Sequence, residues 1–412
     1  MIYGLIGERL GHSFSKDVHS MLSDYEYEIR EIPADELDAF MREASYKAIN
    51  VTIPYKEAVI PHLAYISEEA RAIGSVNTVV NRGGRLYGYN TDFFGMVSLI
   101  NKMELDLKEK KTVILGTGGT SKTAAAVARS LGASPIITVS RTKKDGAIDY
   151  GELIREHTDA RIIINTTPVG MYPDNFSSPI DISPFSELEG VIDAVYNPIR
   201  TRLVTDAHER GIKAEGGLYM LVAQAVYASE IFLDTKYPAE VLNNVFDKIR
   251  RKKENIVLIG MPASGKTTVS KILSAELSRT IYDTDEMIVS TRQKNIAEIF
   301  EHEGEKAFRA YETYEIANVS LQNGAIIATG GGAILNKDNV KALRQNGVIF
   351  FIDRPYEKLI PTEDRPLAQS VEAIKKRYEE RYATYVASAD AIIDADDTPE
   401  NVAKKIMGAF FK

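Results

Sequence analysis

The sequence lacks cysteine, long apolar runs and an excess of positive charge, and each absence excludes a class of protein. Without cysteine, its 412 residues can form no disulfide, no thiolate zinc site and no cysteine nucleophile, so any metal must be held by oxygen or imidazole ligands. No run approaches the roughly 18 apolar residues that span a bilayer, which predicts no membrane partner. The net charge of -8 argues against a nucleic-acid partner, because nucleic-acid binding needs a basic face.

The chain is long enough for two or three domains, each with its own core. Strand-like runs alternate with helical runs from end to end, which is typical of α/β folds with parallel sheets. Residues 1–7 lack the charged start, apolar stretch and cleavage site of a signal peptide, and they are predicted to form a strand. We therefore expect a cytoplasmic protein.

Three units are predicted from this alternation. The first ends near residue 101, the second opens with the strand 112–115, and the third begins at residue 256 after a polar linker at 251–255. The expected strands are 2–6, 48–51, 76–80, 112–115, 136–140, 162–164, 191–195 and 256–259. Helices are expected at 217–233 and 239–251.

A glycine-rich turn joins the strand 112–115 to an alanine-rich helix. Gly116, Gly118 and Gly119 would let backbone amides and the helix N-terminus approach a pyrophosphate, which is the arrangement of a dinucleotide-binding fold. Ser121 stands where the fingerprint has its third glycine, and a small residue there is compatible with helix packing.

About twenty residues further on, an NAD enzyme needs an acidic residue for the ribose hydroxyls. This sequence instead has Arg141, Thr142 and Lys143, which favours NADP(H) as the cofactor. Arg141 can form a bidentate contact with the 2′-phosphate, and its two neighbours can support that contact.

Polar clusters lie at strand ends in the first unit, at residues 11–15, 50–57, 74–78 and 88–92. Reduction of a ketone by hydride requires a proton for the new alkoxide, and a lysine held by a carboxylate can supply it. Lys56 and Asp92 are the candidates for that pair. An imidazole of His12 or His19 is expected to be structural rather than catalytic.

Together with residues 165–171, 193–198 and 217–224, these clusters resemble shikimate dehydrogenase over residues 1 to 250. The resemblance implies that Lys56 and Asp92 are catalytic, that Tyr196 assists the substrate contacts and that Gly217 lines the nicotinamide end of the cofactor. It also implies substrate contacts to hydroxyls and carboxylate from Ser13, Ser15, Thr52, Asn77 and Gln224. Quinate-using relatives share most of these motifs, although the two serines and the basic turn favour shikimate.

The same resemblance implies a split substrate domain with a Rossmann-type NADP domain inserted into it. The substrate domain would comprise residues 1–101, with 234–250 returning to it, and the NADP domain would comprise 102–233. The active site would then lie in a cleft at the junction of the two domains.

The strand 256–259 leads into a complete Walker A element, Gly260 to Thr267. Its spacing wraps backbone amides around the β-phosphate of ATP, and Lys266 would neutralise charge on the β- and γ-phosphates. Thr267 would bind Mg²⁺ through its hydroxyl. The other expected nucleotide contacts come from Gly260, Ser264, Gly265 and Thr268.

Motifs downstream of the Walker element resemble shikimate kinase over residues 254 to 412: they are 282–285, 304–312, 330–332, 364–367, and Arg381 four residues before Tyr385. The resemblance implies that Asp285 takes or orients the hydroxyl proton of the substrate and that Asp283 supports Mg²⁺. It also implies a P-loop fold of the nucleoside monophosphate kinase type, in residues 256–412.

By the same resemblance, Arg309 and Arg381 clamp the substrate carboxylate, because a guanidinium matches two carboxylate oxygens. Gly330 to Gly332 would form a wall without side chains against the substrate ring, with Gly331 and Gly332 in contact with the substrate. The segment around Arg365 would be a lid that brings positive charge to the transferring phosphoryl group.

These observations lead to one functional hypothesis and two alternatives. The first half would reduce 3-dehydroshikimate with NADPH, and the second would phosphorylate the resulting shikimate with ATP and Mg²⁺. In one alternative the P-loop half is a regulatory nucleotide sensor, although a sensor would not need Asp285, Arg309 and Arg381. In the other, a quinate dehydrogenase is joined to a kinase of a different metabolite.

Overall fold

The computed structural model of the chain describes residues 2–10, 14–143, 146–359 and 371–411. Two compact units are present, the first ending at Ile249 and the second starting at Arg250. Three sheets carry the fold, two in the first unit and one in the second, and the predicted α/β class with parallel sheets is confirmed. No helix among the described residues is both long and apolar enough to cross a membrane.

The first sheet has six strands: β1 (Tyr3–Gly7), β2 (Tyr27–Glu31), β3 (Ala48–Val51), β4 (Tyr65–Ile66), β5 (Thr78–Arg82) and β6 (Arg85–Tyr89). Their order is β2-β1-β3-β5-β6-β4. Strand β5 runs antiparallel to both β3 and β6, whereas β1 is parallel to β2 and β3. The sheet therefore presents the carboxyl ends of β1, β3 and β6 at one edge, where β5 begins.

Helices cover both faces of this sheet. They include α1 (Ser15–Leu22), α2 (Leu37–Glu43) and α3 (Glu68–Ile73), with a short 3₁₀ turn at Ile60–His62. Successive strand residues point to opposite faces, so Ile6 packs in the core with Leu37 and Phe40 of α2 while its neighbour Leu5 belongs to a second core. Strands β1 and β3 are buried along almost their whole length and consist mainly of apolar residues.

The second sheet is entirely parallel, with the order β11-β10-β9-β7-β8. Its strands are β7 (Thr112–Leu115), β8 (Ile136–Val139), β9 (Ile162–Asn165), β10 (Gly190–Asp193) and β11 (Lys213–Glu215). Its helices are α4 (Thr91–Lys102), α5 (Gly119–Ser130), α6 (Tyr150–Glu156) and α7 (Arg202–Glu209).

Two further helices complete the first unit, α8 (Leu218–Leu233) and α9 (Ala239–Lys253). The first half of α8 packs in the core of the second sheet, while Ala228 and Phe232 near its end pack with Leu5 and Tyr27 against the first sheet. Helix α9 contributes Val245, Phe246 and Ile249 to the core that contains the second sheet. Helix α8 therefore connects the two sheets. Tyr237, in the segment 234–250 that is predicted to return, donates to the carbonyl of Leu22 at 3.1 Å, and the return of that segment to the substrate domain stays a prediction.

The second unit is built on one parallel sheet with the order β13-β14-β12-β15-β16. Its strands are β12 (Asn255–Ile259), β13 (Ile281–Asp283), β14 (Ile326–Ala328), β15 (Gly347–Asp353) and β16 (Ala391–Asp394). The helices are α10 (Lys266–Leu277), α11 (Thr284–Arg292), α12 (Ile296–His302), α13 (Gly304–Ser320), α14 (Lys337–Asn346), α15 (Val371–Ser388) and α16 (Pro399–Phe410), with 3₁₀ turns at Ala333–Leu335 and Tyr356–Lys358. The predicted linker, 251–255, is occupied by the last turn of α9 and the start of β12.

A chain of hydrogen bonds in the first unit starts at a buried histidine. His19 lies on α1 with no exposed surface, and its Nδ1 is 2.5 Å from the Tyr25 hydroxyl. Tyr25 donates to Ser229 Oγ at 2.9 Å, and Ser229 Oγ lies 2.9 Å from the Tyr237 hydroxyl. Tyr237 donates to the Leu22 carbonyl at 3.1 Å. If each hydroxyl donates once, His19 is the donor at the start of the chain, which agrees with a structural role for this imidazole.

Burial lowers the pKa of His19 from 6.5 to about 3. Its ring also stacks on Tyr27 with 3.9 Å between the ring centroids, so one face of the imidazole is covered by an aromatic ring. The unfolded chain binds a proton at this residue below pH 6.5, while the folded chain stays neutral until about pH 3. The contribution of His19 to stability is therefore complete above pH 6.5 and is lost as the pH falls.

We predict that His19→Gln removes this pH dependence from the first unit. Between pH 7 and pH 5, the wild-type unit should lose about 2 kcal/mol of unfolding free energy because of this one proton, and the variant should not. Urea unfolding of the whole chain, followed by tyrosine near-ultraviolet circular dichroism, measures the difference. His208→Gln, which changes an exposed histidine of the same unit, is the control and should retain the wild-type slope. An unchanged slope in His19→Gln would contradict the prediction.

Candidate active sites

A cavity of about 410 Å³ opens at the edge of the first sheet where β1, β3 and β6 end. It is lined by all the described residues that the sequence predicts for substrate contact and proton transfer in the first unit: Ser15, Thr52, Lys56, Asn77, Asp92, Tyr196 and Gln224. Ser13 lies outside the described residues. The strand ends and the neighbouring helices bring these side chains together from segments as far apart in the sequence as Ser15 and Gln224.

The predicted catalytic pair is formed, with Lys56 Nζ 2.6 Å from Asp92 Oδ2. Both side chains are mostly buried, with 24% and 18% of their surface exposed. The backbone carbonyl of Lys56 accepts a hydrogen bond from Val76 N–H at 2.8 Å, which fixes the loop after β3. Asp92 lies in the first turn of α4, where the helix dipole favours a carboxylate.

The N-terminus of α4 is held by two buried amides. Asn90 caps the helix by accepting a hydrogen bond from Phe93 N–H at 3.3 Å. Asn77 Oδ1 accepts a hydrogen bond from Thr91 N–H at 2.7 Å. The Thr91 hydroxyl is in turn 3.5 Å from Gln224 Oε1 on α8. The predicted substrate-binding amides of Asn77 and Gln224 thus share one network with the helix that carries Asp92.

A buried carboxylate builds the loop that carries Tyr196. Asp193 at the end of β10 accepts hydrogen bonds from Thr201 Oγ1 at 2.6 Å, Asn165 Nδ2 at 2.9 Å and Val195 N–H at 3.0 Å. Burial raises the pKa of Asp193 to about 6 against the opposing effect of these three donors. The loop orients Tyr196 toward the cavity, where its ring packs edge-on against Phe14 with 5.5 Å between the ring centroids.

The glycine-rich turn after β7 has the geometry that a dinucleotide requires. Gly116 has a φ of +111°, and a Cβ there would lie 2.7 Å from Thr166 Oγ1. At Gly118 and Gly119 an added Cβ would meet no atom within 4 Å, so these positions border open space at the start of α5. Ser121 Oγ donates to the Gly116 carbonyl at 2.7 Å, which shows how serine replaces the third glycine. The turn therefore fits a pyrophosphate on the N-terminus of α5.

The basic turn follows β8, the neighbour of β7, and so lies at the same edge of the sheet as the glycine-rich turn. Arg141, Thr142 and Lys143 are all exposed there. Lys143 Nζ lies 2.5 Å from Glu152 Oε2 and 3.4 Å from Asp149 Oδ2, and these carboxylates raise the pKa of Lys143. Its positive charge is therefore shared with two carboxylates, and its contact with the cofactor stays a prediction.

Gly217 immediately precedes α8 and packs against the loop that follows β10. A Cβ on Gly217 would lie 2.3 Å from the Ala194 carbonyl oxygen, and its N–H donates to the Val195 carbonyl at 2.8 Å. Only glycine permits this contact, so packing alone accounts for the residue, and its place at the nicotinamide stays a prediction.

A second cavity, of about 520 Å³, lies at the carboxyl edge of the third sheet. The P-loop between β12 and α10 forms one wall, with Gly260, Ala263 and Gly265 all at positive φ. Lys266 Nζ donates to the carbonyls of Gly260 and Met261, each at 2.9 Å. Lys266 is thus folded back over its own loop.

Two other residues at the P-loop, Ser264 and Thr268, lie where they can contact a bound nucleotide. The Ser264 hydroxyl is buried and has no hydrogen-bond partner within the described part of the chain, so it can accept or donate to a bound phosphate. Thr268 lines the cavity beside Thr267.

The Thr267 hydroxyl donates to Asp283 Oδ2 at 3.0 Å. A hydroxyl and a carboxylate are oxygen donors of the kind that Mg²⁺ prefers, and Mg²⁺ keeps several ligands from phosphate and water. No group of three or more histidine, aspartate or glutamate side chains suited to a metal occurs among the described residues. The donor set therefore fits Mg²⁺ bound together with a nucleotide, held on the protein side by Thr267 and Asp283.

Asp283 also positions the predicted base. Its Oδ1 caps α11 by accepting hydrogen bonds from Asp285 N–H at 3.1 Å and Glu286 N–H at 3.4 Å. Asp285 therefore lies in the first turn of α11 and lines the cavity.

Glycines 330 to 332 form the wall that the sequence predicts, and each faces a different group. A Cβ on Gly330 would lie 2.6 Å from carboxylate oxygens of Asp285 and Glu312, and one on Gly331 would lie 2.6 Å from Pro262 of the P-loop. A Cβ on Gly332 would overlap the Arg309 guanidinium, 2.2 Å from Nη1. The absence of side chains at Gly330 and Gly332 thus leaves room for the Asp285 carboxylate and the Arg309 guanidinium.

Arg309 is held between two carboxylates of its own helix, with 2.8 Å to Glu312 and 3.0 Å to Glu305. Only 1% of the Glu312 side chain is exposed, and burial raises its pKa although Arg309 opposes this effect. Arg381 on α15 donates to the Gly331 carbonyl at 3.1 Å, and the Tyr385 hydroxyl donates to the same oxygen. Both predicted arginines thus line the cavity. Arg365 and the predicted lid lie outside the described residues.

Sequence reasoning gave no role to several charged groups that line the cavities, among them Arg9 and Glu312. Arg9 borders the first cavity, and Glu312 borders the second. Glu312 stands three residues after Arg309, which places both on one face of a helix, and this spacing is a signal that was available. No comparable local signal exists for Arg9, because its place depends on the order of the strands.

Family models match both units. The model of the shikimate kinase family matches residues 262–410, and the model of the shikimate dehydrogenase substrate binding domain matches residues 5–79.

Curated relatives match the first unit. The shikimate dehydrogenase (NADP(+)) of Clostridium perfringens strain SM101 is 34% identical over 267 residues, which cover 60% of this chain and 98% of the relative. The enzyme of the same name from Halothermothrix orenii is 35% identical over 264 residues, covering 57% of this chain and 91% of the relative.

Solved structures of shikimate dehydrogenases also match this chain. Shikimate dehydrogenase 1 from Peptoclostridium difficile has a TM-score of 0.55 and 38% identity, covering 60% of this chain and 97% of its own. The Thermus thermophilus enzyme, solved with NADP(H) and shikimate, has a TM-score of 0.55 and 28% identity, covering 60% of this chain and 99% of its own. The chain therefore belongs to the shikimate dehydrogenase family and carries a shikimate kinase domain after the dehydrogenase, which makes it an NADP-dependent oxidoreductase and a kinase.

Proposed function

We propose that the two units catalyse consecutive reactions on one compound. The first would reduce 3-dehydroshikimate to shikimate with NADPH, and the second would phosphorylate shikimate with ATP to shikimate 3-phosphate, as steps in cytoplasmic chorismate and aromatic amino-acid synthesis. The observation that carries the proposal is that each cavity combines a proton-transfer group with groups suited to a hydroxylated acid. The hydroxyl made by the first reaction would be the one phosphorylated by the second, which gives a chemical reason for joining the two enzymes.

In the first cavity, Lys56 is the proton donor of the proposal. Bound NADPH supplies the hydride, and the carbonyl oxygen of the substrate then needs a proton as its carbon is reduced. Lys56 can give that proton from Nζ, while Asp92, 2.6 Å away, holds the ammonium in place. The amides of Asn77 and Gln224 and the hydroxyls of Ser15, Thr52 and Tyr196 would bind the hydroxyls and carboxylate of the substrate.

In the second cavity, Asp285 is the proposed acceptor of the hydroxyl proton. As the substrate oxygen bonds to the γ-phosphorus, the bond to the β-phosphate oxygen breaks and ADP leaves. Lys266 would move from its loop carbonyls to the β- and γ-phosphates and neutralise their charge. Mg²⁺, when bound at Thr267 and Asp283, would supply further positive charge at the phosphates. Arg309 and Arg381 would hold the substrate carboxylate.

The proposal is tested by a coupled assay of the purified chain with 3-dehydroshikimate, NADPH, ATP and Mg²⁺, in which NADPH loss and ADP formation are followed separately. We expect both, with ADP appearing only after reduction has begun. NADPH consumption without ADP, even with added shikimate, would reject the kinase reaction and leave the nucleotide-sensor alternative. Faster turnover of quinate than of shikimate in the reverse direction would reject the substrate assignment.

We predict that Lys56→Ala lowers kcat of the reductase by 10² to 10⁴, because that is the usual contribution of a positioned general acid. Shikimate phosphorylation by the same variant should remain at the wild-type rate. Lys47→Ala removes an exposed lysine from the same unit and serves as the control, with no change expected in either rate. Reductase activity within threefold of wild type in Lys56→Ala would remove this lysine from the mechanism.

For Asp285→Asn we predict the converse. The amide cannot accept the hydroxyl proton, so kcat of the kinase should fall by at least about 10², while NADPH oxidation is unaffected. Asp338→Asn, which changes an exposed aspartate in the first turn of α14, should leave both rates unchanged. Wild-type phosphoryl transfer by Asp285→Asn would require a different base.

Arg141→Gln should raise KM for NADPH by about tenfold or more and leave KM for NADH unchanged, because NADH has no 2′-phosphate. Lys143→Gln should have a smaller effect, since Glu152 and Asp149 already share its charge. Steady-state kinetics with both cofactors distinguish the two. An equal rise in KM for NADH would show that Arg141 does not contact the 2′-phosphate.

A further inference from the structure

Arg354 lies immediately after β15, at the carboxyl edge of the third sheet. Strand β15 pairs with β12, whose end leads into the P-loop, so the two strand ends are neighbours. A Cβ built on Gly265 would lie 3.9 Å from Arg354 Nη1. The guanidinium group therefore stands beside the last turn of the P-loop, where the loop enters α10.

The surroundings of Arg354 leave one of its donors without a partner. The preceding Asp353 points toward α15, where it accepts hydrogen bonds from the Tyr378 hydroxyl at 2.9 Å and the Tyr382 hydroxyl at 3.2 Å. Arg354 Nε is buried and has no hydrogen-bond partner within the described ranges. A buried, unpaired donor on a charged group is unfavourable, and in native structures such a donor often marks a ligand that completes the site.

The second cavity lies on the other side of the P-loop. Its lining comes from the loop itself, from the ends of β13 and β14, and from helices α10 to α13 and α15. Neither β15 nor β16 contributes to that lining. The side of the P-loop that faces β15 and β16, where Arg354 stands, is thus free for the adenosine end of a nucleotide whose β- and γ-phosphates occupy the loop and face this cavity.

We propose that Arg354 binds the nucleotide on the adenosine side of the P-loop, through a charge-assisted contact with a phosphate oxygen. This inference rests on the proposed kinase reaction and adds to the predicted nucleotide contacts a residue outside the Walker element. Lys266 serves the β- and γ-phosphates, and Arg354 supplies positive charge at the α-phosphate end. A guanidinium suits this place because its planar fork reaches phosphate oxygens while its stem stays packed against the loop.

The test is a calorimetric titration of the full chain with MgADP, which needs no turnover. Arg354→Gln should raise Kd for MgADP, and KM for ATP, by about tenfold or more, the usual loss of a charge-assisted hydrogen bond. KM for shikimate should stay within twofold, because Arg354 does not line the substrate cavity. Arg354→Lys keeps the charge and should recover at least half of the loss on a logarithmic scale.

Arg292→Gln removes the same charge from an exposed position at the end of α11 and should bind MgADP as the wild type does. Binding of MgADP by Arg354→Gln within twofold of wild type would overturn the proposal. So would an Arg354→Lys variant as weak as Arg354→Gln, since the positive charge would then not be what is recognised. If the wild-type chain binds MgADP but phosphorylates no shikimate, the kinase reaction fails while the titration still decides the role of Arg354.

Discussion

Parallel strands end at one edge of a sheet, and every site in this chain depends on that constraint. In the first sheet it brings Thr52 and Lys56, after β3, next to Asp92, after β6. The glycine-rich turn and the basic turn meet in the second sheet because β7 and β8 are parallel neighbours. In the third sheet the P-loop, Asp283 and the glycine wall lie together for the same reason. Chemistry at these edges needs few residues, because the sheets align the backbone segments that carry them.

The carboxylates proposed for the two active sites, Asp92 and Asp285, are placed by the same local device. An N-cap residue fixes the position at which each helix begins, Asn90 for α4 and Asp283 for α11. The carboxylate follows within the first turn. There the free backbone amides of the first turn and the helix dipole interact favourably with a carboxylate. Two unrelated reactions are thus served by one solution to the problem of fixing a carboxylate.

Much of the sites could be predicted from sequence because their chemistry demands certain residue types at short spacings. The P-loop from Gly260 to Thr267 and the turn from Gly116 to Ser121 are of this kind. Tertiary neighbours could not be predicted in the same way. The pairing of Lys143 with Glu152, the burial of Glu312 and the division of α8 between two cores all depend on which elements pack together, and no local pattern encodes this packing. Edge strand β2 likewise could not be predicted from a run of apolar residues, because Glu28, Arg30 and Glu31 make it mostly charged.

The glycine wall also constrains how the gene for this chain can change. Any missense codon at one of these three positions adds at least a Cβ, and there is no smaller residue to which the protein could drift. Because the three glycines contact different groups, substitutions would have different effects. A side chain at 330 would displace the carboxylates of Asp285 and Glu312, one at 331 would displace the P-loop, and one at 332 would displace Arg309. Compensation would require a second change in a different segment each time. Selection on these codons is therefore expected to be separate at each position, although the three are adjacent in the DNA.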